Sequence, residues 1–350
     1  MMDVFGQISL TECELFLSGF SRNEVARAEI VPANRSGACP YAKNLKLWRN
    51  KMKYKLLGVV LFTLLTTALN ATSVFASGMQ GPESITQTAS GNFLVTDFTG
   101  AIWTVPATGG TASLLATVPF SALGGIFLPG TFDSVGGRFL AVGFGVQGAI
   151  AVGQAYTINT SVTPATVTPY FSEARASWPQ VVLPSSFGPY TGNLLVTNEH
   201  HAVDFFAPTG VEGTVANFPE SVEGFGAALA PSNFGAVGGT LLVSDLLSGA
   251  IYSVDSSGNV SRFATIPLSA GQTGLRNMAF APQGFGLYSG DLFVSVNPGV
   301  IYVVDVQGMI VGHISGSFAP RGLLFTGGRL LFSDTSSGEI LSAGPGDVKE

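Results

Sequence analysis

Six times along the chain a polar residue precedes four apolar or small ones and a turn-forming or strand-ending position. The copies are Asn92-Phe-Leu-Val-Thr-Asp97, Arg138-Phe-Leu-Ala-Val-Gly143, Asn193-Leu-Leu-Val-Thr-Asn198, Thr240-Leu-Leu-Val-Ser-Asp245, Asp291-Leu-Phe-Val-Ser-Val296 and Arg329-Leu-Leu-Phe-Ser-Asp334. Runs this short and this rich in Val, Leu and Phe predict strands rather than helices. A second phrase often follows, as in Ala101-Ile-Trp-Thr-Val105 and Ala250-Ile-Tyr-Ser-Val254. Gly, Asp, Asn and Ser separate the runs, as tight hairpins require. The spacing between copies runs from 38 to 55 residues. Short strands recurring at that period predict a β-propeller, all-β, with six blades of mostly four strands each.

The pattern places blades at about 81–118, 119–171, 172–219, 220–267, 268–316 and 317–346. The last offers three strands and no fourth, and 77–82 is a short donor for closing it. A further phrase recurs between first and second strands, at Leu183 to Gly192, Ala230 to Gly239 and Ala281 to Gly290, each with a Phe-Gly at its centre. It reads as a packing turn.

The N-terminal part carries a different pattern. Met52-Lys-Tyr-Lys55 is basic, Leu56 to Leu69 is apolar, and Val74 and Ala76 suit the positions before a signal-peptidase cut. That order predicts a signal peptide at 52–76 and a propeller at 77–350. An apolar run of this length falls short of the roughly 20 residues a spanning helix needs, so no membrane span is expected after cleavage. Residues 1–51 show no periodicity, and Met52 is the expected start of translation. A signal anchor with a basic cytoplasmic tail is the alternative. The expected location is secreted or periplasmic.

Composition narrows function mainly by exclusion. The chain has 350 residues, of which 45 are Gly and only 11% are charged. From Gly78 onward seven Lys and Arg stand against seventeen Asp and Glu, a net of −10. Such a surface is unsuited to nucleic acid, whose phosphates need cations. Both cysteines, Cys13 and Cys39, precede the predicted propeller, so thiolate chemistry and cysteine metal sites are not available to it.

Gly81-Pro-Glu-Ser-Ile85 followed by Gly91-Asn-Phe-Leu-Val-Thr-Asp97 resembles the six-bladed propellers of the NHL and gluconolactonase superfamily, which includes senescence-marker-like and strictosidine-synthase-like proteins. The resemblance covers roughly 78–346 as a repeat pattern. It implies an axial calcium ion held by a glutamate at the start of the first inner strand and by Asn or Asp on others. Glu83 stands at the glutamate position and Asn277 at an asparagine position. The chain departs from the pattern at Gly124, Gly125, Gln180, Phe225, Gly226 and Arg321.

In a propeller the starts of the inner strands share one face with the loops between second and third strands. Glu83, Gln180, Glu223, Arg276, Asn277 and Arg321 are therefore expected at one mouth, together with Asn198, Glu199, His200 and His201. Glu83, Asn277 and Glu223 are the candidate calcium ligands, since calcium takes several oxygen donors. His201 is the candidate general base. Glu83 and Glu223 paired with Arg276 and Arg321 would instead make an ion network. Asp97, Asp245 and Asp334 read as turn caps. Two functions follow: a binding or interaction module for a small molecule, glycan or protein, or a calcium-dependent lactonase or esterase-like hydrolase.

Overall fold

The computed structural model describes residues 72–147, 150–173, 180–182, 184–198 and 201–350. In chain order the strands begin with β1 (Ser73–Ser77), β2 (Pro82–Gln87), β3 (Phe93–Asp97), β4 (Ala101–Val105), β5 (Gly110–Thr111) and β6 (Ser113–Thr117). Then come β7 (Ser121–Phe127), β8 (Phe139–Gln147), β9 (Ile150–Asn159) and β10 (Thr166–Glu173), followed by β11 (Gln180–Val182), β12 (Leu194–Asn198), β13 (Ala202–Phe206) and β14 (Glu212–Asn217). The remainder are β15 (Gly224–Leu229), β16 (Leu241–Asp245), β17 (Ala250–Val254), β18 (Val260–Thr265), β19 (Leu275–Phe280), β20 (Leu292–Val296), β21 (Val300–Val304), β22 (Ile310–Ser315), β23 (Pro320–Thr326), β24 (Arg329–Asp334) and β25 (Glu339–Ala343).

These strands form six antiparallel meanders, the blades of a six-bladed propeller. The inner strands β2, β7, β11, β15, β19 and β23 each touch the inner strands of both neighbouring blades, so the ring closes on itself. Every copy of the six-residue phrase falls in a second strand.

The second strands read as unbroken apolar runs because both of their faces are buried between blades. On β3, Phe93 and Val95 pack with Leu331 and Ile340 of the sixth blade, while Leu94 faces Phe139 and Ala141 of the second. On β16, Leu241 and Val243 pack with Leu195 and Val203 of the third blade, while Leu242 faces Leu292 and Val294 of the fifth. Side chains still alternate, but between two apolar neighbours rather than between core and water. The outermost strands β18 and β22 carry the exposed positions.

The sixth blade has the fourth strand that the sequence pattern left unassigned. β1 pairs antiparallel with β25, Ser73 opposite Ser342 and Ala76 opposite Ile340. Its other edge is covered by the two-residue β5, running parallel. The donor is thus Ser73–Ser77, upstream of the expected 77–82, and four of its residues overlap the end of the expected signal segment. Ala76 is buried and Phe75 meets the ring of Phe93 edge-on at 5.6 Å.

The Phe-Gly phrase forms a single 3-10 turn in three blades, at Gly188–Tyr190, Gly235–Val237 and Gly286–Tyr288. A fourth copy occurs at Asp133–Val135 after Phe132, which the sequence pattern missed because Asp133 replaces the glycine. All four positions lie in the left-handed region, with φ of 46° at Asp133 and 51°, 52° and 58° at Gly188, Gly235 and Gly286. Aspartate tolerates that region better than most residues. The preceding Phe132, Phe187, Phe234 and Phe285 are buried beneath the turns.

Candidate functional site

The mouth is built by backbone anchoring. Asp97, Asp245 and Asp334 end their second strands as turn caps, as the sequence predicts. Asp97 Oδ1 accepts from the Thr99 amide and hydroxyl, and Oδ2 from the Gln80 and Gly81 amides and the Trp103 indole. Asp245 likewise accepts from the Leu247 and Glu223 amides, and Asp334 from the Ser336 and Ala319 amides. Each aspartate therefore fixes the segment that enters its own blade's inner strand. These bonds hold the Asp97 and Asp334 carboxyls below their ordinary range despite burial.

A row of buried hydroxyls completes the anchoring. The residue just before the strand end is Thr96, Thr197, Ser244, Ser295 or Ser333 in five blades, and all five are fully buried or nearly so. Gly226 N donates to Ser244 Oγ, which donates to the Arg276 carbonyl of the next blade at 2.7 Å. Asn277 N donates to Ser295 Oγ, which donates to the Arg321 carbonyl, also at 2.7 Å. Gly322 N donates to Ser333 Oγ, which reaches the Glu83 carbonyl at 3.3 Å. Thr197 bonds the Phe225 carbonyl in the same way. Sequence reasoning passed over these residues, although one small hydroxyl at the same place in five copies was the available signal. The second blade has Val142 there.

Glu83, Arg276 and Arg321 are what this scaffold brings together. Glu83 is 4% exposed, and Arg321 Nη1 stands 3.9 Å from its Oε2. That is an ion pair but too long for a hydrogen bond. Burial pushes the Glu83 carboxyl up to about 7, with Arg321 and then Arg276 opposing the rise and Asp97 adding to it. Arg276 is 7% exposed and lies over the Phe225 ring at 5.0 Å. It donates through Nη2 to the Thr273 hydroxyl at 3.0 Å. Burial, and then Arg321, bring it down to about 10. Arg276 Nε and both Nε and Nη1 of Arg321 are buried without a hydrogen-bond acceptor.

The other candidates do not join this cluster in a metal site. Asn277 uses its side-chain oxygen on the Met278 amide at 2.7 Å. The Glu223 amide is held by Asp245. His201 has φ of 63°, and its Nδ1 bonds the Val222 carbonyl, tying its loop to the chain entering β15. Gln180 lies on β11 opposite Thr197, and Asn198 ends β12 opposite Ala202. Glu199 and His200 fall outside the described residues. Among the described residues no three of His, Cys, Asp and Glu gather closely enough to share a metal ion. A calcium ion at Glu83 would have two guanidinium groups close by, and calcium sites are built from oxygens. The described donors do not fit the axial calcium that the family resemblance implies.

No protein-family model matches the chain, and no curated protein does. Solved structures do. A glucose dehydrogenase is similar with a TM-score of 0.59 at 16% identity, over 78% of this chain and 99% of that one. Virginiamycin B lyase from Staphylococcus aureus is similar at 0.51 and 14%, over 78% and 98%. The PQQ domain of pyranose dehydrogenase from Coprinopsis cinerea is similar at 0.55 and 10%, over 78% and 95%. The likeness is one of fold. Lyases and dehydrogenases share this propeller, so architecture does not select a reaction, and the side chains at the mouth must do so. No helix of the described residues is long and apolar enough to cross a membrane.

Proposed function

We propose that this chain is an extracytoplasmic binding propeller that takes its ligand at the mouth where the inner strands begin. The Glu83–Arg276–Arg321 cluster carries the reading. A calcium-dependent hydrolase needs a concentration of oxygen donors on the axis, and here the one buried glutamate is paired with Arg321, has Arg276 nearby and tends to keep its proton. Such a cluster suits recognition of a polar ligand group, in a mouth whose backbone is fixed by the aspartates and buried hydroxyls. The extracytoplasmic location rests on the basic, apolar and small-residue order of Met52 to Ala76. Fold relatives of varied chemistry are compatible with this reading, as with several others.

Thermal unfolding of the full chain in excess calcium and then in chelator is the test. A ligand that binds only the folded state stabilises it in proportion to the logarithm of its saturation. The expected result is one melting temperature in both conditions and no turnover of lactones or aryl esters. A calcium-dependent rise, lost together with hydrolysis in Glu83→Gln, would replace this proposal with the hydrolase.

A further inference from the structure

We propose that the axial Arg321, with Arg276 behind it, forms a receptor for the carboxylate of a small organic acid whose apolar, ring-sized body rests against Phe98. The inference deepens the mouth-binding reading and rests on it. Its first support is the set of unpartnered donors. Arg276 Nε, Arg321 Nε and Arg321 Nη1 are buried with no hydrogen-bond acceptor, Arg321 Nη1 lying 3.9 Å from Glu83 Oε2. A buried N–H without an acceptor is costly, and guanidinium groups match carboxylate oxygens in both charge and fork geometry.

The protein's own acids do not fill that role. Asp97, Asp245 and Asp334 spend their oxygens on backbone amides and hydroxyls. Glu83 approaches only Arg321, at a distance beyond hydrogen bonding. Arg321 pairs with Glu83 and Arg276 lies near it, while burial and the nearby Asp97 raise that carboxylate's affinity for its proton. An incoming carboxylate would supply the missing acceptor for the Arg321 guanidinium.

The second support is a cleft of about 320 Å³ opening beside the cluster, lined by Glu83, Arg321, Phe98, Thr99 and Thr335. That volume is at the small end of ligand sites. Phe98 is 44% exposed in a chain where most large apolar side chains are buried, and gives the cleft one apolar wall. Its ring meets Phe144 at 6.1 Å, and Phe144 lines an adjoining cleft that shares Thr99. Charge at one end and an aromatic wall beside it define the ligand as a carboxylate on an apolar ring rather than a simple inorganic anion.

Calorimetric titration and thermal unfolding of the full chain, with benzoate, cyclohexanecarboxylate, benzamide, acetate and chloride as probes, test this. The expected result is binding of the two ring acids, at least tenfold weaker binding of acetate and chloride, and no binding of benzamide. Arg321→Gln should lose ring-acid binding at least tenfold, and Phe98→Ala should bring benzoate down to the level of acetate. Because Arg321→Gln leaves Glu83 without its ion partner, Arg321→Lys serves as the folding control: it keeps the charge but loses the fork, and should also bind weakly. Equal binding of chloride and benzoate would mean an adventitious small anion only and overturn the organic-acid site. No response to any carboxylate would overturn the receptor while leaving the mouth-binding proposal standing, provided calcium also has no effect. A calcium response without a carboxylate response would bring both down.

Discussion

Single residues carry two predictions. The left-handed position after the buried Phe is filled by glycine in three blades and by Asp133 in the fourth. A side chain there costs roughly 1 kcal/mol in backbone conformation. Asp133→Gly is therefore expected to leave stability unchanged or raise it by up to about 1 kcal/mol. Gly235→Ala should destabilise by more, because its Cβ would come within 2.7 Å of the Val306 carbonyl of the next blade. Denaturant midpoints of the two variants check the opposite signs. Glu83 sets the second prediction. Its carboxyl titrates near 4.5 when unfolded and near 7 when folded. Between those values the folded chain holds a proton that the unfolded chain has released, so raising the pH favours unfolding. Stability should fall from pH 4.5 to 7 by at most roughly 3 kcal/mol, given about 1.4 kcal/mol per pKa unit. Below pH 4 the depressed carboxyls Asp97 and Asp334 act the other way, their contribution fading as they take up protons. Glu83→Gln should flatten the upper slope and leave the acid limb in place, as melting across that pH range would show. These residues were only partly legible in the sequence. The aspartates announce themselves as turn caps. The sequence places Glu83, Arg276 and Arg321 at one mouth and offers an ion network among them as one of two readings. That Arg321 of the last blade is the partner of Glu83 in the first becomes visible only in the closed ring.

At the scale of elements, the second and third strands were legible to within a residue or two, except in the second blade, where β8 runs on to Gln147, four residues past the expected Gly143. Their spacing repeats, and the apolar runs are too short for anything but strands. The alternation that usually marks a strand was hidden, because each second strand is clamped between two blades and needs apolar side chains on both faces. The closing strand was hidden for a different reason. Ser73 to Ser77 reads as the small-residue tail of a leader, and its partner lies at the far end of the chain. The prediction belongs to this element. A chain beginning at Ser77 loses Ser73 to Ala76, including the buried Ala76 and the Phe75 ring on Phe93. Losing that packing costs on the order of 3 kcal/mol. The expected fall in melting temperature is roughly 6–12 °C relative to a chain beginning at Thr72. If a leader is removed in the cell, the native N-terminus should lie at or before Ser73, which mass spectrometry of the secreted protein reads directly. A mature chain starting at Ser77 with undiminished stability would show β1 to be dispensable.

Over the whole molecule, repeat spacing was enough to specify architecture, but chemistry was not readable from it. Seven cations against seventeen acids from Gly78 onward look at first like a surface that repels anions. The fold draws two of those seven, Arg276 and Arg321, to the axis and leaves them short of acceptors. Net charge therefore says little about what enters the mouth, where the capping aspartates are engaged by backbone amides and two guanidinium groups lie near Glu83. The joined ends have a consequence in time as well as in space. β1 is the earliest of the described strands to be synthesised, and its partner β25 is the last. Through nearly all of synthesis the early strand waits with an unpaired edge, and every intermediate is an open arc with one exposed blade face at each end. Such a chain cannot finish blade by blade as it emerges. Its final ordering is a late step, and truncation before residue 339 removes the strand on which β1 pairs.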